Sequence, residues 1–209
     1  MMMELLKVEK RYGDHLIFQD FSFRFEAGKI YALIGRSGSG KTTLLNMMAK
    51  LEAWNGGDII YKGKTLSEYK EQTFFRDELG YLFQNLGLIE NESIAANLDL
   101  GFVGQRMSVE EKKLAFQEVL KKVGLSYLPL ERKIYTLSGG EAQRVSVGKL
   151  MLKKPSLLLA DEPTASLDPA TADEVLQLVF QLRDPNRLII IATHNPNIWN
   201  RCDEVISLT

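Results

Sequence analysis

Gly35-Arg36-Ser37-Gly38-Ser39-Gly40-Lys41-Thr42 decides how the rest of this chain is read. It matches the pattern G-x-x-x-x-G-K-[ST] in full, and its flanks matter as much as its letters. Before it runs Lys29-Ile30-Tyr31-Ala32-Leu33-Ile34, a short apolar run of the kind a buried parallel strand requires. After it, Thr42 to Lys50 has helical composition. In that context the glycines let consecutive backbone N–H groups curl around an anion, and the helix N-terminus adds positive potential. Lys41 is placed to reach β- and γ-phosphates, and Thr42 to offer a hydroxyl to Mg²⁺. The sequence therefore predicts a nucleotide-phosphate site at Gly35, Arg36, Ser37, Gly38, Ser39, Gly40, Lys41, Thr42 and the adjoining Thr43.

Working outward, Phe21, Phe23 and Phe25 alternate with polar residues as in a half-buried strand, and further strands are expected at 58–61, 79–83, 156–161, 188–193 and 204–208. Between about Asn85 and Lys154 the pattern turns helical. Ser108 and Glu111 fit a capping box, followed by Ala115, Val119 and Val123 at spacing four. Asp168-Pro169 opens another helix. Strands interleaved with helices imply a mainly parallel α/β sheet, with the helical middle as an insertion. The 209 residues carry 26 basic and 27 acidic side chains, a net charge of −1, which argues against holding nucleic acid or a membrane surface by bulk positive charge. One cysteine, Cys202, excludes an internal disulfide, and two histidines exclude a histidine-rich metal site. No apolar stretch is long enough for a signal peptide or a bilayer span.

Leu157-Leu158-Leu159-Ala160-Asp161-Glu162 is an apolar strand ending in two carboxylates. Strand alternation aims them differently, so Asp161 can serve Mg²⁺ while Glu162 activates a water. His194 follows Leu188–Thr193, and Gln84 follows Gly80–Phe83, each at the strand end where ligands of open α/β sheets bind. Leu137-Ser138-Gly139-Gly140-Glu141 opens a helix and can form a second phosphate-binding surface. The bland alternative there is a helix cap by Ser138.

Taken in order, these motifs together with Ser166-Leu167-Asp168 resemble the nucleotide-binding subunit of ATP-binding cassette (ABC) transporters over essentially the whole chain. The resemblance implies a P-loop NTPase (RecA-like) α/β fold: a mainly parallel sheet, an N-terminal antiparallel β subdomain and an inserted α-helical subdomain. It implies one domain over 1–209, with 1–84 and 155–209 as the nucleotide-binding core and 85–154 as the helical subdomain carrying the signature. The cofactors implied are ATP and Mg²⁺. Lys41, Glu162 and His194 would be catalytic, and Thr42, Gln84 and Asp161 would serve the metal. Ser138, Gly139 and Gly140 would contact ATP held by a second copy, with Asp168 also at the nucleotide. Tyr12, in Arg11-Tyr12-Gly13, matches the position that stacks on adenine.

The partners implied are a second copy in an ATP-sandwich dimer and an integral membrane permease, through which alone the chain would touch the membrane, with no nucleic acid. The location implied is cytoplasmic, peripheral at the inner face of the cell membrane. Glu141 stands where many members have glutamine, and the lipoprotein-release branch is similar in carrying glutamate there. The segment from Asn85 to Leu98 is most similar to small bacteriocin-export and macrolide-export cassettes, and its apolar members Leu86, Leu88, Ile89, Ile94 and Leu98 either dock a permease helix or cap the insertion's own core. The chain ends at Thr209 directly after its last strand, so no appended regulatory domain is expected. The second reading is a soluble cassette ATPase acting on DNA or the ribosome. Such relatives carry fused cassettes or coiled-coil insertions, and no sustained heptads lie between Lys41 and Ser138.

Overall fold

The computed structural model describes residues 1–208; Thr209, the end of the expected domain, lies outside the described residues. In chain order the elements are β1 (Met3–Tyr12), β2 (His15–Phe25), β3 (Ile30–Ile34), α1 (Lys41–Met48), β4 (Gly56–Tyr61), β5 (Lys64–Thr65), α2 (Glu71–Thr73), β6 (Leu79–Leu82), α3 (Ile94–Asp99), α4 (Val109–Lys122), α5 (Gly139–Lys153), β7 (Leu157–Asp161), α6 (Pro169–Gln181), β8 (Leu188–Ala192), α7 (Pro196–Trp199) and β9 (Glu204–Ser207). They gather into two compact units. One comprises residues 1–81, 156–162 and 183 onward, and the other residues 82–155 and 163–182. No helix among the described residues is long and apolar enough to cross a membrane.

The first unit holds a four-stranded sheet in the order β2-β1-β4-β5 and a five-stranded sheet in the order β6-β7-β8-β3-β9. In the first, β1 pairs antiparallel with both β2 and β4. In the second, β7, β8, β3 and β9 run parallel. Every residue of β7 and β8 is buried, which is why both read as unbroken apolar runs and not as alternating ones. The phenylalanine alternation of β2 meets the parallel sheet through Phe25, whose ring lies 5.0 Å edge-on from Tyr31 of β3. Because the parallel strands share a direction, Gly35 after β3, Asp161 at the end of β7 and His194 after β8 come out on one rim.

The second unit is helical. Its central helix, α5, has a glycine at 148 whose added Cβ would lie 3.4 Å from Val119, so α4 packs close against it. The buried face of α4 is Phe116, Val119 and Leu120, continuing to Val123. Ala115, expected on that face, lies at its edge, because the long apolar ring of Phe116 takes the inward position and stacks on Phe102. Helix α6 groups with this unit, although the sequence places 155–209 with the core. Its start packs on the start of α5, and Glu174 pairs with Arg144 at 2.7 Å.

The two-sided burial of the central strands sets the stability expected of them. Ile190, fully buried in β8 between Tyr31 and Leu159, has no surface to relax into. Replacing it with alanine is expected to lower unfolding free energy by about 2–5 kcal/mol, read from urea denaturation. A loss under about 1 kcal/mol would mean that the strand is not packed on both faces.

Candidate active site

The site is built on an uncapped helix. Helices α4, α5 and α6 each begin with a side chain accepting from a first-turn N–H: Ser108, Ser138 and Asp168. Helix α1 begins at Gly40, with a left-handed backbone at φ 91°, no side-chain cap and no acidic residue in its first turn. Its leading N–H groups are left for an external acceptor, and an anion fills that role. The loop before it is cut to fit. A Cβ on Gly35 would stand 2.4 Å from Ser39 Oγ and 2.5 Å from the Leu208 carbonyl, and one on Gly40 would stand 2.7 Å from Ile17 and 2.8 Å from Phe18. Ser39 Oγ is buried without a hydrogen-bond partner among the described residues, an orphan that a phosphate oxygen would satisfy. Arg36, Ser37 and Gly38 form the exposed crest.

Lys41 Nζ donates to the carbonyls of Gly35 at 2.9 Å and Arg36 at 3.2 Å, which holds its ammonium across the loop it closes. Thr42 Oγ1 donates to Asp161 Oδ2 at 2.7 Å, joining α1 to the end of β7. A hydroxyl beside a carboxylate supplies hard oxygen ligands suited to Mg²⁺, which keeps waters and phosphate oxygens for its other positions. Burial pushes the Asp161 carboxyl above its usual range and the neighbouring Glu162 adds to the rise, against the Thr42 hydrogen bond and the Lys41 charge. Thr43, the next residue of α1, is half-buried.

Glu162 is the residue whose placement sequence reasoning missed. Its N–H still donates to the Ala192 carbonyl at 2.9 Å, yet its φ is +45°, a left-handed backbone that glutamate adopts at a cost of about 1–3 kcal/mol. That turn brings Glu162 Oε1 to 2.8 Å from His194 Nδ1. Glu162 is mostly enclosed while His194 is 71% exposed, so the imidazole lies on the open side of the carboxylate. No local pattern in the sequence signals a left-handed glutamate.

Tyr12 ends β1 opposite His15 and is half-exposed. Three residues along β2 from His15, Phe18 is one of the two side chains that a Cβ at Gly40 would strike. The remaining candidates belong to the helical unit. Gln84 is exposed in the turn after β6. Ser138 heads α5 in a capping box with Glu141: Ser138 N donates to Glu141 Oε2 at 2.8 Å, its hydroxyl donates to the same oxygen at 2.9 Å, and Glu141 N donates back at 3.3 Å. Tyr127 donates to the other carboxylate oxygen at 2.8 Å, and the Ser138 N–H is the chief reason the Glu141 carboxyl lies below its usual range. Gly139 and Gly140 leave that helix start bare, and a Cβ on Gly140 would come within 2.4 Å of Thr171 in the first turn of α6, which Asp168 caps. Of the apolar residues in 86–98, Ile94 and Leu98 are fully buried in the helical core and only Ile89 is largely exposed. The capping alternative therefore holds for that pair.

The ABC transporter family profile matches residues 18–165, which contain the loop, the capped signature and the paired carboxylates. The chain belongs to the ABC transporter family. Its relatives include the lipoprotein-releasing system ATP-binding protein LolD of Buchnera aphidicola, 35% identical over 92% of this chain and 88% of that protein. A hemin import ATP-binding protein of Staphylococcus epidermidis, HrtA, named as putative, is 33% identical over 96% of this chain and 93% of its own length. Among solved structures, a dimeric ATP-binding cassette in a post-hydrolysis state with ADP and Pi superposes with a TM-score of 0.88 at 27% identity, over 100% of this chain and 94% of that one. The fold is the P-loop NTPase fold of ABC cassettes, with its antiparallel N-terminal sheet and helical insertion. As an ABC transporter ATP-binding subunit, the protein binds and hydrolyses ATP.

The raised Asp161 carboxyl gives the site a stability signature. A carboxyl raised on folding stabilises the fold while protonated, and that contribution is lost as pH rises through its folded pKa. In the absence of Mg²⁺, Asp161→Asn, which can still accept from Thr42, is expected to raise Tm at pH 7.5. The advantage is expected to shrink as acidification protonates the wild-type carboxyl, followed by circular dichroism. A lower Tm at neutral pH would show that the ionised carboxylate stabilises this metal-free fold.

Proposed function

We propose that this ABC subunit energises a separate membrane permease as a dimer, with two ATPs closed between two copies. The observation that carries the reading is an imbalance within one chain. Among the described residues it has two glycine- and serine-rich helix starts, at Gly40 and Ser138, but one set of Asp161, Glu162 and His194. A second phosphate-facing helix start, whose one carboxylate, Glu141, is spent on capping it, is useful if it closes over a neighbour's nucleotide. The dimeric cassette that this fold matches supports the same arrangement. Docking to a permease places the chain in the cytoplasm at the inner face of the membrane. The segment 85–98 supports the export branch, with a peptide, bacteriocin, lipoprotein or drug-like cargo selected by the permease.

Each residue then has a task. The free N–H groups of α1 and the Lys41 ammonium hold the triphosphate, and Tyr12 stacks on the base. Thr42 and Asp161 would hold Mg²⁺, which when bound supplies Lewis acidity at the phosphoryl oxygens. His194 donates through Nδ1 to Glu162 Oε1 and so fixes the carboxylate, leaving Oε2 to take the proton of an attacking water. The tautomer follows from that carboxylate partner. Ser138 and the N–H of Gly140 of the second copy meet the γ-phosphate, where charge shifts during transfer. Asp168 holds the helix start beside them.

Glu162→Gln tests the assignment, because it keeps the His194 contact and removes the base. Hydrolysis is expected to fall by about 10²-fold or more while ATP binding persists. By light scattering, the variant is expected to form a stable dimer with ATP and none with ADP. Near-normal turnover would place the base elsewhere, and a variant that stays monomeric with saturating ATP would contradict the sandwich.

A further inference from the structure

The last residues of β1 carry a charged assembly that neither the phosphate loop nor the carboxylates use. Lys10 Nζ lies 2.7 Å from Glu52 Oε1, donates to the Ala53 carbonyl at 2.7 Å, and sits 4.6 Å from the centre of the Tyr12 ring. The Tyr12 hydroxyl donates to the same Glu52 oxygen. The three protons of the ammonium therefore meet three acceptors: a carboxylate, a carbonyl and the face of an aromatic ring. The Lys10 side chain is only 9% exposed and that of Glu52 21%, whereas Tyr12 stays half-exposed.

Burying a lysine carries a desolvation penalty that its partners only offset, and an apolar residue would pack the end of a hairpin at less cost. Uncharged contacts through Asn55 already join the same two segments, since Arg11 N donates to Asn55 Oδ1 and Asn55 N to the Glu9 carbonyl, both at 2.8 Å. The charges are not needed to join these two segments. What they do is fix one exposed ring, with a cation against one face and its hydroxyl tied.

We infer that Lys10 and Glu52 are positioning residues that hold Tyr12 as a preset platform for the adenine of ATP; this rests on the reading that Tyr12 stacks on the base. Glu52 also lies just past the C-terminal end of α1, the helix whose other end faces the phosphates. The base platform and the phosphate cradle are thus mounted on the two ends of one eight-residue helix, which spans about 12 Å. A fixed spacing between them favours a nucleoside triphosphate over a bare polyphosphate, because the ring need not be ordered when the base arrives.

The experiment compares ATP with inorganic tripolyphosphate, each with Mg²⁺, by calorimetry on the whole chain. Wild type is expected to bind ATP the more tightly, and Tyr12→Ala to erase that preference. Glu52→Gln and Lys10→Met are each expected to weaken ATP by about 3- to 10-fold, part of the full stacking contribution, with tripolyphosphate binding unchanged. KM for ATP should rise in step while kcat at saturation holds, and Lys10→Arg should recover most of the loss. Tyr12→Phe, which keeps the ring but not the hydroxyl, should resemble Glu52→Gln. Adding Glu52→Gln to Tyr12→Ala should cost nothing more. If both charge variants bind ATP as wild type does while Tyr12→Ala is weakened, the ring holds itself and the inference is overturned with the stacking reading intact. Equal losses for ATP and tripolyphosphate would overturn it too, by placing the damage at the phosphate loop. If Tyr12→Ala binds ATP normally, the stacking reading itself fails.

Discussion

One hydrogen bond organises this molecule: Thr42 Oγ1 to Asp161 Oδ2, 2.7 Å. It joins residues far apart in sequence, one in the first turn of the helix that faces the phosphates and the other at the tip of a fully buried strand. Because β7, β8 and β3 run parallel, the same alignment that makes this bond also brings out Gly35 and His194 on the same rim. The geometry of the chemistry is thus a consequence of strand direction, and the strand direction follows from apolar runs that can only be buried on both faces.

Several features of the rim are costly on their own. Helix α1 lacks the side-chain cap that α4, α5 and α6 have, Ser39 Oγ is buried without a partner, the Asp161 carboxyl is held where burial disfavours its charge, and Glu162 adopts a left-handed backbone. Each would be a defect in a protein selected only for stability, and all four lie in two short stretches, 39–42 and 161–162, that the Thr42–Asp161 hydrogen bond joins. An anion with its accompanying cation relieves the first three together. The fourth is what turns the Glu162 carboxylate to His194. The apolar β7 and β8 offset these costs through packing away from the site.

Much of this was legible in the sequence because it is local. The phosphate loop is a contiguous pattern, the caps at Ser108, Ser138 and Asp168 are signalled within three residues, and buried parallel strands announce themselves as apolar runs. What was not legible depends on neighbours distant along the chain. The turn at Glu162 is held by Ala192, the lysine at 10 makes sense only beside Glu52, and α6 joins the helical unit through contacts with α5. Glu141 is similar. As a departure from glutamine it looks neutral on paper, yet in the fold it accepts from Ser138 and Tyr127 at once. Ile94 and Leu98 have the composition of a docking surface and the burial of a core, a distinction that no window of sequence contains.

The central claim is that a working site takes its phosphate loop from one copy and its signature from another. It is tested most directly by mixing two inactive proteins, Lys41→Ala and Ser138→Arg, and measuring ATP hydrolysis. In a mixed dimer one site carries both lesions and the other carries neither, so activity is predicted to return in part while each variant alone stays inactive. A mixture that remains inactive although heterodimers form, or a Ser138→Arg protein that hydrolyses ATP at the wild-type rate, would contradict the account and leave Ser138 as a helix cap alone.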